Sequence, residues 1–231
     1  MAKMTQRTYT EHEGSWNIPR MALLFLLDTS LSMRGEPIRE LNAGLNKFKD
    51  VVCENERARC MLDVAIVRFD VEPQVVQEFT PISEMEGINL PADGTATNYA
   101  PAIDKALEMV VERARHYKKF VPPHKPWIIF VTDGAPSDNI INVAKKINDL
   151  ATKGKVNFFS LGVGDYQSEP LHALSPDKVV RLKDKDFSKF FEWVGESMYA
   201  VSTSAPGDSI NVPRLPENME RDLRDSGGLV G

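Results

Sequence analysis

Two apolar runs in this chain each stop at an aspartate. Residues 21–27 read MALLFLL and are followed by Asp28; residues 127–132 read WIIFVT and are followed by Asp133. Runs this short cannot cross a membrane. They lack the polar alternation of a half-exposed strand, so they are strands covered on both faces. Such strands need helices above and below, and the rest of the chain supplies them. Ile38, Leu41, Leu45, Phe48 and Val52 recur at helical spacing and predict an amphipathic helix over 36–52, with Pro37 suited to its first turn. Ile103, Ala106, Leu107, Val110 and Ala114 predict a second over 99–116, broken by Pro122 and Pro123. Ile140, Val143, Ala144, Ile147 and Leu150 mark a third, closed by Gly154. Phe187, Phe190, Phe191, Val194, Met198 and Val201 stripe a last one, with Asp186 as its N-cap.

Further strands are predicted over 61–70, 74–79, 156–161 and 179–182, the first two forming a hairpin around Pro73. The order β-α-β-β-α-β-α-β-β-α implies an α/β, three-layer, Rossmann-like fold. Its central sheet is mostly parallel, with one antiparallel edge strand from the hairpin, and helices cover both faces. Residues 20–202 form this domain. Residues 1–19 are a polar lead-in in which Trp16 could be pinned to the body. Residues 203–231 are rich in Pro, Gly, Ser and charge and read as an extended, flexible tail or tether.

Composition narrows the function classes. With 231 residues, 42% hydrophobic and 26% charged, the chain can bury a large core. A net charge of −5 argues against nucleic acid as the main partner, because phosphate binding wants a basic face. No apolar run approaches a membrane span and no signal peptide is visible, so a cytoplasmic protein is expected. The two cysteines, Cys53 and Cys60, read as free thiols, although their spacing also allows a bridge. His12, His116, His124 and His172 are scattered and suggest no ligand set.

The acids after strand ends carry the chemistry. In an open parallel sheet, ligands sit outside the carboxyl ends of the strands, where strand order reverses. Right-handed crossovers bring Asp28, Asp70, Asp133 and Asp165 to one edge. Asp28 is followed by the hydroxyls of Ser30 and Ser32, and a loop with Gly94, Thr95 and Thr97 must end near the same edge. Each hydroxyl alone is an ordinary turn residue; together they offer oxygens from three segments to one point. Oxygen donors suit a hard divalent cation, Mg2+ first, with Mn2+ or Ca2+ as alternatives. Thr97 is better placed for helix capping or for supporting the ligands. Asp70 and Asp165 read as loop acids, and Asp138 as a helix N-cap.

The three motifs Asp28-Thr29-Ser30-Leu31-Ser32, Gly94-Thr95-Ala96-Thr97 and Val131-Thr132-Asp133-Gly134 resemble those of the von Willebrand factor type A domain with its metal-ion-dependent adhesion site. The resemblance spans about residues 21–201. Within the family, the run LLDTSLSMRGEPI and the closing polar tail are most similar to the bacterial tellurium-resistance, TerY-like branch. The resemblance implies a metal site of Asp28, Ser30, Ser32, Thr95 and Asp133. The hydroxyls of Ser30, Ser32 and Thr95 would bind directly, and the two carboxylates directly or through water. Neutral hydroxyl ligands leave the cation an acceptor for one more anion, so a Glu or Asp of a partner protein completes it. That implies a Mg2+-dependent interaction module, not an enzyme. The competing reading is a Mg2+-dependent phosphohydrolase of the haloacid dehalogenase type using Asp28. Such chemistry wants a second Asp two positions later as general acid, and that position is Ser30. No Gly-x-Ser-x-Gly elbow and no phosphate-binding Gly-x-x-x-x-Gly-Lys loop appears.

Overall fold

The computed structural model describes residues 18–223. Strand β1 (Met21–Asp28) is buried along its whole length. It lies between β2 (Leu62–Phe69) and β4 (Trp127–Thr132) and is parallel to both. Outside β2 runs β3 (Pro73–Pro81), antiparallel. Outside β4 run β5 (Asn157–Val163) and β6 (Val179–Leu182), both parallel, and then β7 (Met219–Arg221), antiparallel. The sheet order is therefore β3-β2-β1-β4-β5-β6-β7.

Alternation along β1 divides the core in two. Met21, Leu23, Phe25 and Leu27 face helices α1 (Glu36–Cys53) and α6 (Ser188–Ser202); Leu24 and Leu26 face α3 (Tyr99–Tyr117) and α4 (Ile141–Thr152). The Phe25 ring sits 5.3 Å from Phe48 of α1 and 5.5 Å from Phe191 of α6. A Cβ on Gly44 would lie 2.3 Å from the Phe191 ring, so the absence of a side chain there sets how closely α1 and α6 pack. On the other face, Asp63 is wholly buried and is bonded by Arg20, Arg113 and Tyr117, joining the starts of β1 and β2 to the end of α3. Cys53 and Cys60 are free thiols. Among the described residues no helix is long and apolar enough to cross a membrane.

The structure confirms the three-layer α/β architecture and corrects three details. Two antiparallel edge strands close the sheet, not one. Two short helices, α2 (Glu56–Met61) and α5 (Ser168–Leu174), fall where no periodicity could build up. The expectation of a flexible tail from residue 203 is wrong as far as residue 223. Ile210, Val212 and Leu215 pack on the core, Trp193 Nε1 donates to the Pro213 carbonyl at 3.0 Å, and Met219 is 4% exposed. The Asp222 carboxylate accepts the hydroxyls of Tyr166 and Ser168, each at 2.6 Å. The physical reason is that β6 would otherwise be a bare sheet edge, which this segment covers. The lead-in up to residue 17, with Trp16, and residues 224–231 lie outside the described residues. Truncation after Ser202 should therefore destabilise the domain. Reburial of Met219 alone is worth about 1.5–3 kcal/mol, so thermal melting should fall by roughly 4–10 °C. An unchanged melting temperature would mean that the segment does not hold the edge.

Candidate metal centre

The strand order reverses at β1: the chain goes from β1 to β2 on one side and later returns to β4 on the other. The crevice at this switch point lies between the carboxyl ends of β1 and β4. Asp28 closes β1 and is wholly buried. Its Oδ1 accepts the Ser30 N–H at 2.9 Å and its Oδ2 accepts the Thr132 hydroxyl at 2.6 Å. Thr132 Oγ1 also accepts the Gly134 N–H at 3.2 Å. The Tyr99 hydroxyl of α3 lies 3.1 Å from it and donates to the Gly134 carbonyl at 2.8 Å. Burial pushes the Asp28 carboxyl up from 3.8 to about 6; the Thr132 and Ser30 bonds oppose this, and the charge of Asp133 adds to it. Burial likewise raises Asp133, against the bond from Ser32.

The hydroxyls bridge the two strand ends. Ser32 Oγ donates to Asp133 Oδ1 at 2.7 Å, across 101 residues of sequence, and Ser30 Oγ lies 2.9 Å from Ser32 Oγ. The third segment is zipped on by backbone bonds: the Gly94 N–H donates to the Thr29 carbonyl and the Leu31 N–H to the Gly94 carbonyl, both at 3.0 Å. Gly94 can enter because it has no side chain; a Cβ would meet that of Asp70 at 2.2 Å. Thr95 follows directly. It is exposed, and its hydroxyl has no hydrogen bond among the described residues.

Of the five residues expected at the site, Ser30, Ser32 and Asp133 form one bonded chain. Asp28 anchors it through the Ser30 amide, and Thr95 stands next to the bridge. Thr97 serves as a stitch: its N–H donates to Ser137 Oγ at 3.2 Å and its carbonyl accepts the Ser137 N–H at 3.0 Å. Asp70 accepts the Val71 and Glu72 amides of its own turn, and Asp165 is exposed. Asp138 is a cap, but of a different helix from the one that follows it. Its carboxylate accepts the Tyr99 and Ala100 N–H groups at 2.9 and 2.8 Å, at the start of α3, while Asn139 accepts the Ile141 N–H of α4 at 3.0 Å. Sequence reasoning missed the roles of Thr132, Tyr99 and Ser137. Thr132 stood inside a motif already singled out, one residue before Asp133.

The donors are oxygens only, three of them neutral hydroxyls. Among the described residues no group of three His, Cys, Asp or Glu side chains converges as a metal site of the usual kind. The set fits a hard cation: two carboxylates repel each other across a crevice, hydroxyl lone pairs lie one hydrogen bond apart, and the Thr95 hydroxyl has no hydrogen bond among the described residues.

The family model of the von Willebrand factor type A domain matches residues 22–193. The chain belongs to that family. No curated protein matches the sequence. Among solved structures, the vWA fold here is similar to a von Willebrand factor type A protein from Catenulispora acidiphila (14% identity, TM-score 0.63, covering 79% of this chain and 43% of that one). It is also similar to a pilus adhesin from Lactobacillus rhamnosus GG (12% identity, TM-score 0.66, covering 80% and 31%). A third likeness is to proximal thread matrix protein 1 from the mussel byssus, whose metal-ion-dependent adhesion site motif is zinc-occupied (15% identity, TM-score 0.59, covering 79% and 48%). At such identities the likeness is one of fold, and the chain spans less than half the length of each of these structures.

Two substitutions test the support of the site. Thr132→Val keeps the shape but removes the donor to a buried carboxylate. It should cost about 1–3 kcal/mol in urea unfolding at neutral pH. Asp138→Ala should cost about 1–2 kcal/mol by uncapping α3. A loss below a few tenths for either would disprove the bond assigned to it.

Proposed function

We propose that this vWA domain is a Mg2+-dependent protein-interaction module without catalytic activity. Ser30, Ser32 and Thr95 would hold the cation through hydroxyl oxygens, with Asp28 and Asp133 binding directly or through water. Mn2+ and Ca2+ are alternatives, and zinc is included because the mussel protein's motif carries it. The observation that carries the reading is the bonded chain from Ser30 through Ser32 to Asp133, beside buried Asp28. When bound, the metal supplies a positive centre whose ligands are mostly neutral. A Glu or Asp of a partner protein is the group that such a centre accepts. Membership of the vWA family supports an interaction role.

The finer assignment, to a cytoplasmic complex of bacterial tellurite or stress resistance, rests only on the sequence resemblance of residues 26–38 and of the closing polar tail. The unpaired Cys53 and Cys60 agree with a reducing compartment. The phosphohydrolase alternative gains nothing from the geometry, because Ser30 offers a hydroxyl where a general acid is needed.

Titrating metal into the metal-free protein should raise its melting temperature. At one hundred times the dissociation constant, the stabilisation is about 2.7 kcal/mol, or roughly 5–10 °C. Asp28→Ala should abolish the gain, and Thr95→Ala should reduce it. Absence of any shift at millimolar Mg2+, Mn2+, Ca2+ or Zn2+ would end the metal reading. Capture of a partner on immobilised protein should require metal and be reversed by chelator. Asp28-dependent hydrolysis of an aryl phosphate would replace the interaction module with the enzyme.

A further inference from the structure

At the opposite end of the sheet from Asp28 lies a groove of about 770 Å3. It opens where β4, β5 and β6 begin and where β7 ends, beneath the segment that returns from α6. Its volume falls within the range of small-molecule sites. Three aromatic side chains form its floor. Trp127 packs on Phe159 with ring centroids 4.6 Å apart, and Phe159 meets Trp193 edge-on at 6.5 Å. Trp127 is 2% exposed, and its indole N–H has no acceptor among the described residues. A buried donor left unpaired is uncommon and costly, which favours an arrangement that supplies an oxygen.

The rim is basic although the protein is acidic. Lys125, Lys178, Arg214 and Arg221 line the groove against only Asp177 and Asp208. None of the four cations makes a salt bridge among the described residues. The Lys178 ammonium donates to Asn157 Oδ1 at 2.8 Å and sits 5.0 Å above the Phe159 ring. Burial first, and then the neighbouring charge of Lys125, hold its pKa below the ordinary lysine value. The Asp177 carboxylate opposes both in part, and a bound anion would oppose them further.

We propose that this groove is a second binding site, separate from the candidate metal centre, for a small planar aromatic anion. The aromatic body packs on Phe159 at the groove floor, and its carboxylate or phosphate meets Lys178, Lys125 and Arg214. Both headgroups share this chemistry, and paired probes separate them. The probes are AMP against adenosine, and indole-3-acetate against indole-3-acetamide. Each is titrated by calorimetry into the full chain with EDTA present and, in a parallel run, without it.

At least one anion should bind at least tenfold more tightly than its neutral counterpart. The one that does identifies the headgroup as phosphate or carboxylate. Lys178→Gln combined with Arg214→Gln should weaken that binding at least tenfold while the melting temperature holds. Should the pair disturb folding, Arg214→Gln alone, at an exposed position, should still weaken it severalfold. Lack of binding by both anions, equal binding of the neutral counterparts, or binding seen only without EDTA would overturn the proposal. The last result would place the anion on the metal instead. Because the expected binding is read with EDTA present, failure here leaves the metal reading intact, and failure of that reading leaves this one.

Discussion

A carboxylate at the end of a wholly apolar strand must be answered by donors, and Asp28 is answered twice. The Ser30 amide and the Thr132 hydroxyl take its two oxygens in a place closed to bulk solvent. Burying that charge without partners would cost several kcal/mol. The answer dictates much else. Thr132 must stand beside Asp28, so β4 must lie next to β1. Thr132 is itself placed by Gly134 and by Tyr99, so α3 must cross that face of the sheet. The loop after β1 must turn back at once so that the Ser30 amide can reach its own strand end.

The same economy governs the outer loops. The loop after β1 is held to the Gly94 segment by two backbone bonds and to β2 by the Thr29 N–H, which donates to the Phe69 carbonyl at 3.0 Å. The segment after β4 is held to the start of α3 through Ser137 and Asp138. Hydroxyls from distant parts of the sequence therefore sit in a frame set by backbone groups and carboxylates, not by their own rotamers. Such a frame is what a site needs if several weak neutral ligands are to act together.

Much of this was legible because its signals are local and repeated. The two apolar runs ending in Asp28 and Asp133 gave β1 and β4, and helical periodicity over four long segments gave α1, α3, α4 and α6. What escaped was short or non-local. Helices α2 and α5 are too brief for a period to register. Strand β7 is three residues in a Pro- and charge-rich stretch, and only the bare edge of β6 explains it. Asp138 shows the limit most clearly. Its residue type announced a cap, but the helix whose amides it takes begins 39 positions earlier, at Tyr99. Thr132 and Tyr99 escaped for the same reason, since their value depends on which strand lies next to which.

The two ends of the sheet handle charge in opposite ways. At the carboxyl ends of β1 and β4 the protein's own groups are acidic or neutral, and a bound cation would have to reverse the local field before any acidic partner could approach. At the other end no cation has to be borrowed: Lys125, Lys178, Arg214 and Arg221 already outnumber the acids. A net charge of −5 draws a cation toward the metal end but repels anions at long range, so the groove gains nothing from steering by the whole molecule. Selectivity must come from contact: from coordination at one end, and from an aromatic floor under a basic rim at the other.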